Sequence, residues 1–315
     1  MPGLKLGSRG SPLALAQARA VAAMLAGSCG APESDFPITT FVTSGDRIEG
    51  RLQDQGGKGL FTRELDQALL DGRIDCAVHS MKDLPTRLPA GIAIAAVPAR
   101  EDPRDGFIAL RARTVLDLAP GATVGTASLR RQAQTLHLRP DLKVELLRGR
   151  VETRLAKIES GAFDATYLAL AGLRRLGLER HAASIVDAEQ MPPAPAQGAL
   201  AITCRAGDER TLTLLAPLDI AEHAAATTAE RAFLEALDGS CRTPIAALAR
   251  VAGGEISFLG EVLTPDGKHR WRRQGTAALG GDPMAAARAL GLKLGAEIRA
   301  EAGPLYTAHF GDRGW

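Results

Sequence analysis

Between Ile74 and Pro85 the chain reads Ile-Asp-Cys-Ala-Val-His-Ser-Met-Lys-Asp-Leu-Pro. A hydroxyl (Ser80), an ammonium (Lys82) and a carboxylate (Asp83) follow directly on an apolar run, Cys76 to Val78. The apolar run suits a buried parallel strand, and Pro85 blocks a helical continuation. The polar set therefore falls at the carboxyl end of a sheet, where open α/β folds bind ligands. A turn closed by local hydrogen bonds from Asp83 and Ser80 explains the same residues, and on this stretch alone it explains them better.

Arginine recurs in a comparable setting. Arg9 lies in Gly7-Ser8-Arg9-Gly10, between a strand Leu4 to Leu6 and a helix Leu13 to Leu25 that has Ser11 as N-cap and Pro12 at its first position. Locally, Arg9 reads equally as an anion ligand or as a solvated loop residue. Three later strands end in a small or glycine-containing turn, each followed by a helix that opens with arginines. Thr123-Val124-Gly125 leads to Thr126, Ser128, Arg130 and Arg131; Val144 to Leu147 leads to Arg148-Gly149-Arg150 and Arg154; Thr166 to Leu170 leads to Arg174 and Arg175. Cations at helix N-termini oppose the helix dipole, so their repetition points to anion gathering, and the planar arginine fork suits carboxylates. Arg139, Arg174 and Arg210 read better as surface solubility.

The elements that must position these groups alternate as strand and helix through two lobes. Val97 to Pro103 reads as a hinge, and Pro192, Pro193 and Pro195 as a second crossing. Thr43 to Gly59 is a long polar loop, of the length expected of a lid; its Gly56-Gly57-Lys58-Gly59 lacks the spacing of a P-loop. After a helix Thr228 to Leu237, three strands and a final helix from Pro283 to about Glu301 form a small α+β domain with Cys241 in the turn near its start.

A chain of 315 residues implies two or three domains. With 38 basic against 36 acidic side chains, the formal charge is +2, which provides no global field to steer nucleic acid. Aromatic residues at 4% provide few platforms for base stacking. Cys29, Cys76, Cys204 and Cys241 stand far apart without a CxxC pair, which argues against a zinc site or a disulfide framework. The N-terminus lacks a signal-peptide core, and no stretch is expected to reach the length of a membrane span. The expected location is the cytoplasm.

The whole chain resembles porphobilinogen deaminase (hydroxymethylbilane synthase). The resemblance is carried, in the family's order, by Ser8-Arg9-Gly10-Ser11-Pro12-Leu13-Ala14-Leu15, Gly56-Gly57-Lys58-Gly59-Leu60-Phe61, His79-Ser80-Met81-Lys82-Asp83-Leu84-Pro85 and Arg100-Glu101-Asp102-Pro103-Arg104-Asp105. Further along come Gly125-Thr126-Ala127-Ser128-Leu129-Arg130-Arg131, Leu147-Arg148-Gly149, Thr153-Arg154-Leu155, Ala171 to Gly177, Gln197-Gly198-Ala199 and Gly239 to Ile245. No single motif is decisive; together they are highly specific.

The resemblance implies an α/β fold of three domains: two lobes like periplasmic binding proteins, with mixed sheets, and a small α+β C-terminal domain. The implied boundaries are 1–98 with 198–218, then 104–193, then 221–315. It implies an enzyme that condenses four porphobilinogen molecules head to tail with loss of ammonia, releasing hydroxymethylbilane for tetrapyrrole biosynthesis. A dipyrromethane cofactor would be joined by a thioether to Cys241 and contacted by Ser80, Lys82, Asp83, Thr126, Ser128, Arg130, Arg131 and Gln197. Arg9, Arg148, Arg154, Arg175 and Lys58 would hold the incoming unit and growing chain. Asp83 would be the catalytic carboxylate, facing the pyrrole N–H groups. No metal, nucleic acid or membrane partner is implied, and the family is usually monomeric. Three positions depart from the family's usual pattern: Arg150 where Asn is common, Ala196 for a frequent Gly, and Thr203 for a frequent Glu. The rival readings are a non-catalytic two-lobed carboxylate-binding protein, which leaves Cys241 without a purpose, and a nucleic-acid binder, which the charge and composition disfavour.

Overall fold

The computed structural model describes residues 3–46, 59–237 and 243–310. Cys241 and Lys58 lie outside the described residues. The chain forms two compact units, Met1–Glu101 with Gly198–Ala224, and Asp102–Gln197 with Ala225–Trp315.

In chain order the elements begin with β1 (Leu6–Arg9), α1 (Pro12–Cys29), β2 (Ile38–Phe41), α2 (Arg63–Leu70), β3 (Cys76–Ser80) and β4 (Ile92–Ala96). They continue with β5 (Asp105–Ala109), β6 (Thr123–Gly125), α3 (Leu129–Leu138), β7 (Lys143–Glu145), α4 (Val151–Glu159), β8 (Ala165–Ala169), α5 (Leu170–Arg175) and β9 (Ser184–Ile185). The chain closes with β10 (Leu200–Arg205), α6 (Glu209–Leu215), α7 (Ala221–Ala236), β11 (Ile245–Ala252), β12 (Glu255–Leu263), β13 (Arg270–Ala278) and α8 (Pro283–Phe310). Helix α8 is broken at Gly303, whose φ of 48° is left-handed, ahead of Pro304.

The first unit holds a five-stranded sheet in the order β2-β1-β3-β10-β4, and the second a sheet in the order β7-β6-β8-β5-β9. Both are mixed and share one plan. Three strands run parallel, β1 with β2 and β3, or β6 with β7 and β8. One antiparallel strand from elsewhere in the chain then enters, β10 beside β3 and β4, or β5 beside β8 and β9. Side-chain alternation along each strand feeds both faces. In β3, Cys76 and Val78 pack with α1 residues Val21 and Leu25, whereas Ala77 packs with Leu65 and Leu69 of α2. In β8, Ala165 and Tyr167 face Phe107 and Val124, and Leu168 faces Leu155 and Ile158 of α4. The second unit also contains the antiparallel sheet β11-β12-β13, whose Phe258 and Val262 pack on Phe233 of α7 and Leu294 of α8.

Several sequence expectations are corrected. Strand β1 runs through Gly7-Ser8-Arg9, which the sequence reads as a turn. Gly7 is strand-buried, and a Cβ there would come within 2.3 Å of Ile74. Helix α5 starts at Leu170, so Arg174 and Arg175 lie in its last turn, where cations complement the dipole. The pattern of arginines opening a helix therefore does not extend to α5. Helix α1, at 18 residues and mean hydropathy 1.2, is long and apolar enough to cross a membrane by length and composition, contrary to expectation. Its Ala-rich composition produces that score; Ala18, Val21, Ala22 and Leu25 lie in the core of the first unit.

Arg150 occupies the N-cap of α4, is exposed, and makes no side-chain cap hydrogen bond. A cation there also opposes the dipole. Arg150→Asn is expected to stabilise the protein by about 1 kcal/mol, read as a higher urea midpoint; an unchanged or lower midpoint would mean the α4 terminus is satisfied another way.

Candidate active site

In each five-stranded sheet the strand order reverses direction at the central parallel strand, at β1/β3 and at β6/β8. The carboxyl ends of such strands are where α/β sheets bind ligands. Of the sequence-predicted residues, Arg9, Ser80, Lys82 and Asp83 fall at or just after the first of these places, and Thr126, Ser128, Arg130, Arg131, Arg148 and Arg154 around the second; each set is described within its own unit.

In the first unit, β1 ends at Arg9 and its neighbour β3 ends at Ser80, followed by a single 3-10 turn, Met81–Asp83. Arg9, Ser11, Gln17, Phe61, His79, Ser80 and Asp83 line one pocket. Arg9 is not a solvated loop residue. Its guanidinium pairs with Asp46 through Nη2 and through Nε at 3.3 Å, and it stacks 4.3 Å from the Phe61 ring centroid. Burial acts to raise the Asp46 pKa, but hydrogen bonds from Arg9 and Thr43 outweigh it and hold the carboxyl below its ordinary value. Ser80 is fixed by Gln17, whose Nε2 donates to Ser80 Oγ at 2.9 Å. Beneath them His79 Nε2 lies 3.1 Å from Thr203 Oγ1. Burial, with Arg9 adding to it, pushes the His79 pKa down to about 4; the imidazole is neutral at neutral pH. Lys82 is half-buried. Asp83 is half-buried too, and its carboxylate has no hydrogen bond or ion pair among the described residues.

In the second unit, β6 ends in a polar turn that starts α3. Thr126 Oγ1 accepts from Ser128 N at 3.1 Å, and Ser128 caps the helix by accepting from Arg131 N at 3.4 Å. Each hydroxyl accepts a hydrogen bond and so keeps its O–H free to donate. Arg130 and Arg131 are 4% and 6% exposed and converge on Asp105, the first residue of β5. Asp105 accepts from Arg130 Nη2 at 2.9 Å, Arg131 Nη2 at 2.7 Å and Nε at 3.2 Å, and Gln197 Nε2 at 2.8 Å. Arg131 Nη1 also donates to Tyr167 O at 2.7 Å. Arg130 Nε is buried with no acceptor among the described residues. Gln197 is fully buried, its amide donating to Pro103 O at 2.7 Å as well as to Asp105.

Arg148 and Arg154 flank the start of α4. Arg154 Nε donates to Gly149 O at 2.9 Å. Burial first, then the charges of Arg131 and Arg148, bring the Arg154 pKa down to about 10. Arg148 Nη1 is buried with no acceptor among the described residues. Arg175 is half-buried at the end of α5. Thr126, Ser128, Arg130, Arg131, Arg148 and Arg154 thus gather around the carboxyl ends of β6 and β7, and Asp105 is paired with two of the four cations, offsetting one of their charges. Of the arginines read as surface residues, Arg139 pairs with Asp141 and three backbone carbonyls, and Arg174 with Glu179 and Asp102.

The sequence reading missed Gln17, Asp46, Asp105, Gln134 and Glu261 as organisers. Asp105 carried a signal: an acid opening an apolar strand must be buried, and a buried carboxylate needs a cation.

The family model described as porphobilinogen deaminase, dipyromethane cofactor binding domain, matches residues 4–213, and that described as porphobilinogen deaminase, C-terminal domain, matches 224–300. The porphobilinogen deaminase of Phenylobacterium zucineum is 51% identical over 312 residues, covering 96% of this chain and 97% of its own length. That of Caulobacter vibrioides is 52% identical over the same length, with the same coverage. Among solved structures, the periplasmic aliphatic sulphonate binding protein SsuA from Escherichia coli is similar at a TM-score of 0.42 and 15% identity, covering 76% of this chain and 71% of its own.

Proposed function

The chain belongs to the porphobilinogen deaminase family, and from that premise we propose how its residues divide the work. It is a hydroxymethylbilane synthase, joining four porphobilinogen molecules head to tail with release of ammonia and using a dipyrromethane cofactor as primer. Porphobilinogen carries an acetate and a propionate, so primer and growing chain are polyanions. The second unit suits such a group. Among the described residues, Arg130 Nε and Arg148 Nη1 are buried donors without acceptors, and Arg154 is crowded by like charge. A carboxylate would satisfy the first two and relieve the third. Those two orphaned guanidinium nitrogens are the observation that carries the reading.

When bound, the dipyrromethane supplies the free pyrrole α-carbon that acts as nucleophile. Thr126 and Ser128 would donate hydrogen bonds from their hydroxyls to its carboxylates, with Arg130 Nε. Arg131 contributes mainly its charge, since its Nε and both Nη atoms are already engaged by Asp105 and Tyr167. Gln197 acts by bracing Asp105. Arg148, Arg154 and Arg175 hold the incoming unit and chain. In the first unit, Arg9 is pre-oriented by Asp46 and Phe61 as a further carboxylate ligand, and Ser80 and Lys82 bind the primer. Departure of ammonia leaves the substrate's methylene-pyrrole cationic. Asp83 stabilises that positive charge through its carboxylate and then assists removal of the α-proton.

Cys241 is the proposed attachment point, and Lys58 a further substrate ligand. The proposed setting is a cytoplasmic monomer; Cys29, Cys76 and Cys204 are free thiols, which suits a reducing compartment. Intact-mass measurement tests the proposal. The purified protein is expected to be heavier than its sequence by two deaminated porphobilinogen units, with the excess on the peptide containing Cys241. Cys241→Ser is expected to have the sequence mass and no turnover. A protein of bare sequence mass with full turnover would refute the attachment.

A further inference from the structure

Helix α3 carries the arginines at its first turn and is gripped along its length by the three-stranded sheet of the same unit. Gln132 Nε2 donates to Pro265 O at 3.2 Å, and His137 Nδ1 lies 2.9 Å from Gly267 O, both in the β12–β13 turn. Gly267 has a φ of 72°, and a Cβ there would lie 2.6 Å from Ala133 O, so only glycine lets this turn approach α3 so closely. Strand alternation puts Phe258 and Val262 on the helix-covered face of β12. Leu259, Glu261 and Leu263 fall on the opposite face, where they are nonetheless buried. Glu261, 1% exposed, accepts from Arg272 Nε at 2.9 Å and Nη2 at 2.6 Å through Oε2. Its Oε1 accepts from Gln134 Nε2 at 2.8 Å.

Gln134 is the joint between this carboxylate and the arginines. It lies one turn after Arg130, 2% exposed. Its Oε1 accepts from Arg130 Nη1 at 2.9 Å, and its Nε2 also donates to Pro192 O at 3.0 Å. A flipped amide would set its N–H groups against Arg130 and its oxygen against two acceptors, so only one orientation satisfies the site. Arg130 Nη1 is thereby held by Gln134 and by Pro192 O at 3.0 Å, and Nη2 by Asp105. Nε is the one guanidinium nitrogen left buried and without any acceptor among the described residues.

We infer that Gln134, locked by Glu261, is a positioning residue for Arg130: it sets the roll of the guanidinium so that the Nε–H is presented to an anionic ligand. The three-stranded sheet thereby determines the geometry of the arginine turn through one amide. The inference rests on the reading that Arg130 belongs to the dipyrromethane-binding set.

Gln134→Leu and Glu261→Leu are compared with Glu261→Gln, which keeps an acceptor oxygen for Gln134 Nε2. Three quantities are read: the primed fraction by intact mass, the melting temperature, and kcat and KM for porphobilinogen per primed chain. Both leucine variants are expected to have a lower primed fraction and a kcat reduced by about tenfold or more, the scale of a small misplacement in a preorganised site, with KM unchanged. Glu261→Gln is expected to recover priming and kcat. Should Gln134→Leu not fold, Gln134→Met, unbranched and close in volume, makes the same comparison. Full priming and wild-type kcat in a folded Gln134 variant, whatever its melting temperature, would overturn the inference. Wild-type protein that carries no primer would remove the reading of Arg130 beneath it, and the inference with it.

Discussion

Replacing Asp83 by asparagine is expected to lower kcat by about 10²- to 10³-fold, the magnitude found when one preorganised electrostatic partner of a transition state is removed. Asparagine is nearly the same shape, and the Asp83 carboxylate has no hydrogen bond or ion pair among the described residues that the change would break. The melting temperature should therefore stay where it is, and the loss should appear in the chemical step. Rates are to be compared per primed chain, so that any effect on cofactor loading is separated by mass. Near-normal turnover in Asp83→Asn would show that the departing ammonia needs no carboxylate at this position, and would move the search to another acid.

Asp105→Asn should produce the largest loss of stability. The carboxylate is fully buried and receives donors from Arg130, Arg131 and Gln197. Without its charge, two buried guanidinium groups face each other uncompensated, a change that destabilises by about 3–5 kcal/mol. Burial alone would raise the Asp105 pKa; Arg130 and Arg131 outweigh it and hold the carboxyl far below the ordinary range. A depressed folded pKa means the stabilisation is complete above the unfolded value of about 3.9 and is lost as pH falls through the folded value. The difference in urea midpoint between wild type and Asp105→Asn should thus be constant from neutral pH down to about pH 4 and narrow in stronger acid. Equal midpoints at neutral pH would show that the two arginines are satisfied without this carboxylate.

Asp105 also marks the boundary between what the sequence discloses and what it withholds. Strand ends, small turns and arginine-opened helices are local patterns, so β3, β6, α3, β12 and the positions of Arg130, Arg148 and Arg154 were legible. Which cation is neutralised internally is not local. Arg9 finds Asp46, and Arg131 finds Asp105, across stretches of chain that only the tertiary fold brings together. Read alone, Arg130 and Arg131 look like two free ligands. In the fold most of their guanidinium nitrogens hold the protein together, and among the described residues the Arg130 Nε is the one left without an acceptor. The turn assigned to Gly7-Ser8-Arg9 failed for a similar reason: glycine there answers to the side chain of Ile74 pressing on the strand, not to a bend. Ala196 is a smaller case. It adopts φ 59° where glycine is common in the family, with its N–H bonded to the buried carboxylate of Glu230.

The entry of β10 between β3 and β4 has a consequence for how the protein is born. Ala96 closes β4 and Leu200 opens β10, so at about 5–20 residues per second a ribosome spends on the order of 5–20 s on the stretch between them. Throughout that interval β3 and β4 are already synthesised while the strand that joins them does not yet exist. The later-encoded sheet, whose last strand β9 ends at Ile185, can close first. Nascent chains halted shortly before Leu200 should therefore expose unpaired strand edges in the amino-terminal half, the kind of surface that holding chaperones bind.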